Sequence, residues 1–226
     1  MKIASYIAGV EEAGRGPVIG PMLMVIAAIR PEQEEELVRM GVKDSKLLTP
    51  EQREVIFKKL QKLVVYKTRK LSPQEIDNAV LSDDMNLNWL EANVSADLIN
   101  EIGKELSLQH VTLDCPSTNI SAYTSYLQER VLDKKIKLIA EHKADVNYPI
   151  VSAASILAKV LRDREIAKIQ KTMVENFGSG YPSDPRTVAF LKEHHKTYAD
   201  AGIFRKSWST YKMATSTQKQ KRLGEY

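Results

Sequence analysis

Along the first 150 residues, short apolar runs alternate with stretches whose apolar positions recur every three to four residues, as when strands and amphipathic helices take turns. Tyr6 to Val10 and Pro21 to Ile29 are rich in Ile, Val and Met and flank a glycine-containing segment, which predicts two strands and an opening hairpin. Pro31 to Met40 is acidic and helical in composition. Thr49-Pro50-Glu51-Gln52 is a capping box with proline at the first helical position, predicting a helix to about Lys62, and Ser72-Pro73-Gln74-Glu75 starts another by the same logic. Leu63 to Tyr66 reads as a third strand, and His110 to Asp114 and Ile136 to Ala140 as the fourth and fifth, with a helix from about Ser121 to Leu132 between the last two. Leu87, Leu90, Val94, Leu98, Ile102 and Leu106 recur at helical spacing, a stripe that belongs to a core. Beyond Ile150 the pattern is mainly helical. The expectation is an α/β domain with a mixed five-stranded sheet flanked by helices.

Composition narrows the class. In a chain of 226 residues, 43% hydrophobic and 27% charged content excludes a disordered or collagen-like protein. The longest apolar run, Val18 to Ile29, is broken by Gly20 and Pro21 and is too short for a membrane span. The start does not read as a signal peptide, because Glu11 and Glu12 follow the first strand at once. A cytoplasmic protein is expected, and nothing in the pattern demands more than a monomer. The single cysteine, Cys115, excludes an internal disulfide. Four histidines lack zinc-ligand spacing, so any metal here would be held by oxygen. Charge is unevenly placed: from Ala201 onward six basic residues face only Glu225, giving that segment +5 against +4 for the whole chain, so the first 200 residues carry −1. Such a tail can meet nucleic-acid phosphates or simply be a solvated extension.

Candidate chemistry gathers in a few segments. Gly9-Val10-Glu11-Glu12-Ala13-Gly14-Arg15-Gly16-Pro17 places two carboxylates where the first strand ends. Neighbours in a regular strand point to opposite faces, so Glu11 and Glu12 are expected to converge through a break in the strand that Gly14 and Gly16 permit. The alternative is a tight hairpin with surface charges. Val42-Lys43-Asp44-Ser45-Lys46 is a polar loop before a capped helix, suited to gripping a phosphate, though by itself only a loop. Asp114, at the end of an apolar strand, needs a partner or a metal. Asp145 lies just before Ser152-Ala153-Ala154-Ser155, whose small side chains allow a helix to pack closely. Buried caps or salt bridges would account for either aspartate singly.

Taken in order, Glu11-Glu12-Ala13-Gly14-Arg15-Gly16-Pro17, Lys43-Asp44-Ser45-Lys46, His142-Lys143-Ala144-Asp145 and Tyr148-Pro149-Ile150-Val151-Ser152-Ala153-Ala154-Ser155 closely resemble ribonuclease HII, the type 2 ribonuclease H family, in its archaeal and eukaryotic form. The likeness continues through Ala158-Lys159-Val160, Arg162-Asp163 and Gly178-Ser179-Gly180-Tyr181-Pro182-Ser183-Asp184-Pro185 to Arg205 and Ser207-Trp208. The resemblance implies an RNase H-like catalytic domain over residues 1–200 with a basic extension over 201–226. It implies hydrolysis of RNA in RNA/DNA hybrids and cleavage 5′ to single ribonucleotides embedded in duplex DNA, leaving 3′-hydroxyl and 5′-phosphate ends. Two divalent ions, Mg²⁺ or Mn²⁺, would be held by Glu11, Glu12, Asp114 and Asp145. Gly14, Arg15, Gly16 and Tyr181 would sense the ribose 2′-hydroxyl, and Ser45, Lys46 and Lys143 would hold backbone phosphates. The final residues, with Gln220, Leu223 and Tyr226, are similar to the short motif by which replication and repair proteins dock on sliding clamps. One position departs: the family motif begins Asp-Glu, where this chain has Glu11-Glu12. A first ligand longer by one methylene leaves open a hybrid-binding protein with weakened catalysis.

Overall fold

The computed structural model describes residues 5–42 and 48–221, with side chains to residue 216. In chain order its elements are β1 (Ser5–Ala13), β2 (Met22–Ile29), a 3-10 turn (Pro31–Gln33), α1 (Glu34–Arg39), α2 (Pro50–Leu63), β3 (Val65–Leu71), α3 (Pro73–Leu81), α4 (Leu87–Gly103), β4 (Ser107–Asp114), α5 (Ile120–Arg130), β5 (Lys137–Glu141), α6 (Ala144–Asn147), α7 (Pro149–Lys171), α8 (Pro185–His194) and α9 (Ser209–Lys221). The sheet runs β3-β2-β1-β4-β5. β1 is antiparallel to β2 and parallel to β4, and β4 is parallel to β5. This is the mixed five-stranded sheet that the alternating pattern predicts.

The predicted starts of α2 and α3 rest on geometry that the structure contains. Thr49 accepts from the Gln52 N–H while the Gln52 side chain accepts from the Thr49 N–H, and Ser72 and Glu75 do the same. Each box satisfies donors that a helix start leaves without partners. The stripe on α4 is half right. Val94, Leu98 and Ile102 are buried, whereas Leu87 and Leu90 are half-buried and Leu106 lies beyond the helix.

The expected break in the first strand does not occur. β1 continues through Ala13, with Glu11 opposite Val25, Glu12 opposite Met24 and Ala13 opposite Leu23. Pairing with β2 on one side holds both glutamates in extended backbone, so the glycines that follow act after the carboxylates rather than between them.

The chain divides into two compact units. The first runs to Ala13 and includes Leu23–Arg69 and Asn88–Leu161. Its core joins Ile7, Val25, Ala27 and Ile29 of the sheet to Phe57 and Leu60 of α2 and to Val151, Ala154, Leu157 and Ala158 of α7. The small residues of α7 admit a close approach: a Cβ on Gly9 would lie 2.6 Å from the Val151 nitrogen and 2.7 Å from the Ile150 carbonyl carbon. The second unit comprises Gly14–Met22, Lys70–Leu87 and the chain from Arg162 onward. Val18, Ile19, Phe177, Phe190, Leu191 and Phe204 form its core, with the Phe190 ring stacked 5.5 Å from Tyr198 and edge-on to Phe177 at 5.8 Å.

Candidate active site

In the first unit, parallel pairing of β1 with β4, in register at Val10 and Leu113, carries Glu11 and Asp114 to neighbouring positions at the carboxyl ends of their strands, where open α/β sheets place their sites. After β5 the chain turns at Lys143, whose φ of 58° is the sole positive value at a non-glycine position among the described residues. That conformation costs of order 1 kcal/mol and is kept where the surroundings enforce it. Here it leads into α6, so that the Ala144 N–H donates to Asp114 Oδ1 at 2.7 Å and Asp145 is brought to the same place. The Ser152 hydroxyl donates to the Asp145 carbonyl oxygen. The His142 ring meets the Cys115 carbonyl at 2.9 Å, and the Tyr148 hydroxyl donates to Glu141 at 2.7 Å.

The result is a cluster in which one oxygen each from Glu11, Asp114 and Asp145 lies within 4.8 Å of the others. Glu11 and Asp145 are buried and Asp114 half-buried. Burial, together with the charges of Glu12 and Asp114 and more weakly Asp145, pushes the Glu11 carboxyl up to about 10. The N–H of Glu12 opposes that shift by donating to Glu11 Oε1 at 3.2 Å. Acids gathered this closely hold charge poorly without a cation. An all-oxygen donor set suits hard divalent ions of the Mg²⁺ or Mn²⁺ kind, so the residues present fit such a group. Glu12, next along β1, is half-buried and is not among the three that gather.

In the second unit the structure brings Gly14, Gly16 and Tyr181 together. Gly14 has φ of 88°, and a Cβ there would fall 2.4 Å from Arg162 Nε and 2.9 Å from the Pro21 carbonyl oxygen. Both conformation and space therefore demand glycine. Gly16 is exposed and faces the Tyr181 ring, which a Cβ would meet at an ordinary 3.7 Å. The Arg162 guanidinium stands 5.2 Å from the centre of that ring, and its Nε has no hydrogen-bond partner among the described residues. The carbonyls of the turn are held by Arg205 and Trp208, which the sequence motif contains without indicating their task.

Of the other predicted site residues, Lys143 is exposed and its backbone shapes the turn into α6. Ser45 and Lys46 lie outside the described residues, as do Leu223 and Tyr226, and Gln220 is placed in α9 by its backbone alone. Glu91 is a buried carboxylate that the reading of α4 as an apolar stripe missed, being 1% exposed beside Tyr123, whose hydroxyl is pushed up by burial first and by the Glu91 charge second. Its polarity on a buried face was the available signal.

A mixed sheet with carboxylates gathered at the ends of adjacent parallel strands defines an RNase H-like hydrolase. The sequence signature of ribonuclease HII matches residues 8–211. A ribonuclease HII of Methanocaldococcus jannaschii is 40% identical over 96% of this chain and 98% of its own. The crystal structure of ribonuclease H2 from Pyrococcus horikoshii superposes with a TM-score of 0.85 at 42% identity, covering 95% of this chain and 99% of that one. The ribonuclease HII of a PCNA:RNase HII complex from Archaeoglobus fulgidus gives a TM-score of 0.78 at 33% identity, covering 88% and 92%. The chain belongs to the ribonuclease HII family and is a metal-dependent type 2 ribonuclease H. Among the described residues no helix is long and apolar enough to cross a membrane.

Proposed function

We propose that this enzyme cleaves the RNA strand of RNA/DNA hybrids and cuts 5′ to single ribonucleotides embedded in duplex DNA, leaving 3′-hydroxyl and 5′-phosphate ends. The observation that carries this reading is the gathering of Glu11, Asp114 and Asp145 in a chain of this family. Glu11, Asp114, Asp145 and the adjacent Glu12 are the residues that would hold two divalent cations, Mg²⁺ or Mn²⁺. Bound there, such ions supply an activated water and charge neutralisation at the leaving 3′ oxygen of an in-line displacement. The protein's own part is to gather Glu11, Asp114 and Asp145, with Glu12 beside them along β1, and to keep Glu11 poised to give up its proton when a cation arrives. Glu11 accepts the Glu12 N–H and still reaches the cluster, which supports retained metal binding over a hybrid-binding protein with weakened catalysis.

Gly14, Arg15, Gly16 and Tyr181 read the ribose on this account. A 2′-hydroxyl both donates and accepts, so backbone groups can recognise it, while a ring against the next sugar favours deoxyribose there. Ser45, Lys46 and Lys143 hold backbone phosphates. The tail, with Gln220, Leu223 and Tyr226, docks on a sliding clamp, a proposal supported by the A. fulgidus relative solved with PCNA. The enzyme then works as a cytoplasmic monomer in replication and repair.

The test is a duplex carrying one ribonucleotide, incubated in Mg²⁺ and separately in Mn²⁺ with the product ends mapped. A single cut 5′ to the ribonucleotide is expected, and Asp145→Asn should lose it at least about a hundredfold, since an amide is a poor ligand for these ions. Absence of the cut in both metals would leave only the binding reading. Purified sliding clamp added to the same reaction should stimulate cleavage by the parent chain and not by Leu223→Ala with Tyr226→Ala. Equal response of the two proteins would remove the docking proposal.

A further inference from the structure

Arg205 is the largest fully buried side chain among the described residues, with 0% exposure. Its guanidinium is directed at carbonyls of the Gly14 to Gly20 segment. Nη2 donates to Gly14 O at 2.6 Å and to Gly20 O at 3.0 Å, Nη1 to Arg15 O at 2.7 Å and Nε to Gly20 O at 3.1 Å. The Arg205 N–H donates to Val18 O at 2.9 Å. Trp208 completes the set: its indole Nε1–H donates to Gly16 O at 3.1 Å, and its ring centre lies 5.0 Å from the Arg205 guanidinium carbon. Behind them Asp77 of α3, itself buried, accepts from the N–H groups of Lys206 at 2.7 Å and Ser207 at 3.0 Å and from the Ser207 hydroxyl at 2.5 Å.

An apolar anchor would suffice to pack this turn. What it lacks is the ability to set the rotation of successive peptide planes, and a planar guanidinium with donors in a fixed fork has it. Fixing the Gly14 and Arg15 carbonyls fixes the N–H groups of Arg15 and Gly16 in the same planes, while the Gly16 and Gly20 carbonyls precede Pro17 and Pro21, so holding them fixes the course of the chain through and out of the turn. The turn needs this, because Gly14 and Gly16 offer the backbone many conformations, and a geometry loose by about 1 Å can cost roughly a hundredfold in rate. Burying a charge costs free energy that these carbonyl bonds offset, so the residue is suited to this place by the bonds it makes to the turn.

We infer that Arg205 and Trp208 are positioning residues for ribonucleotide discrimination: they hold the carbonyls of Gly14, Arg15, Gly16 and Gly20 and so fix the peptide planes with which the turn reads the ribose, while Asp77 anchors the segment that carries them. The inference rests on the reading that this turn senses the 2′-hydroxyl.

The experiment compares kcat/KM on a duplex with one ribonucleotide and on a long RNA/DNA hybrid, for the parent, Trp208→Phe, Arg205→Lys and Gly16→Ala. Trp208→Phe deletes one N–H and keeps an aromatic ring; Arg205→Lys keeps the charge and loses the fork. A defect in folding lowers the active fraction and scales both rates equally, leaving their ratio unmoved. A disturbed turn lowers the ratio, because a long hybrid offers alternative registers and a single ribonucleotide offers one. The ratio of single-ribonucleotide to hybrid cleavage should fall about fivefold for Trp208→Phe, the equivalent of one net hydrogen bond of about 1 kcal/mol, and further for Arg205→Lys. Gly16→Ala, which the turn accommodates sterically, should lower the same ratio. If Gly16→Ala lowers it while Trp208→Phe and Arg205→Lys leave it unchanged, the positioning role is overturned and the reading of the turn stands. If all three leave it unchanged, the reading of the turn falls and the inference with it.

Discussion

Glu11 concentrates the electrostatics of the site in one side chain. Burial first, then the charges of Glu12 and Asp114, push its carboxyl from the usual carboxylate range up to about 10. In the metal-free protein the folded state therefore keeps a proton that the unfolded chain releases above about pH 4.5, and stability should fall as pH rises from there toward 10, by at most about 1.4 kcal/mol per pH unit. Glu11→Gln, which carries no titrating proton, should flatten that decline, raise the metal-free melting temperature at pH 8 and abolish stabilisation by Mg²⁺. Melting curves at pH 6 and pH 8, with and without Mg²⁺, read all three; a variant as pH-sensitive and as metal-responsive as the parent would show that Glu11 is neither strained nor a ligand. At this scale the sequence is informative about the acids and silent about the task of one arginine. The acids were legible because a carboxylate at the end of an apolar strand needs an explanation. The task of Arg205 was not, since an arginine among six basic residues reads as solvated charge until its carbonyl partners are known.

Periodicity placed all five strands and erred mostly at their ends. β1 and β3 run further than their apolar cores, because hydrogen bonding to a neighbour extends a strand through polar residues that pattern alone assigns to a turn. The same cause produced the failed expectation of a break at Glu11. Capping boxes located the starts of α2 and α3 because their signal is a local hydrogen-bond pair rather than a tertiary choice. Close packing of β1 against α7 was not legible, since Gly9 in an apolar run looks like a weak strand residue until the helix backbone is in place. Gly9→Ala should force Ile150 and Val151 outward against backbone atoms that cannot turn aside, costing roughly 2–3 kcal/mol and about 5–10 °C in Tm. A parent-like Tm for this variant would show that the approach is less tight than the geometry requires.

Across the whole molecule, the order of motifs along the chain carried more than any one of them, and the family match from residue 8 to 211 spans the same stretch. Composition contributed mainly exclusions. The basic tail illustrates its limit: net charge marked the segment from Ala201 as distinct, yet Ile203, Phe204 and Ala214 are core residues of the second unit and Arg205 is buried there. The central claim is that Glu11, Asp114 and Asp145 form a divalent-cation site. Crystals soaked in Mn²⁺ and measured near the manganese absorption edge test it most directly. An anomalous peak in direct ligand contact with oxygens of all three residues is the result expected, and its loss in Asp145→Asn crystals should follow. Manganese peaks elsewhere on the molecule, with none at this cluster, would contradict the account.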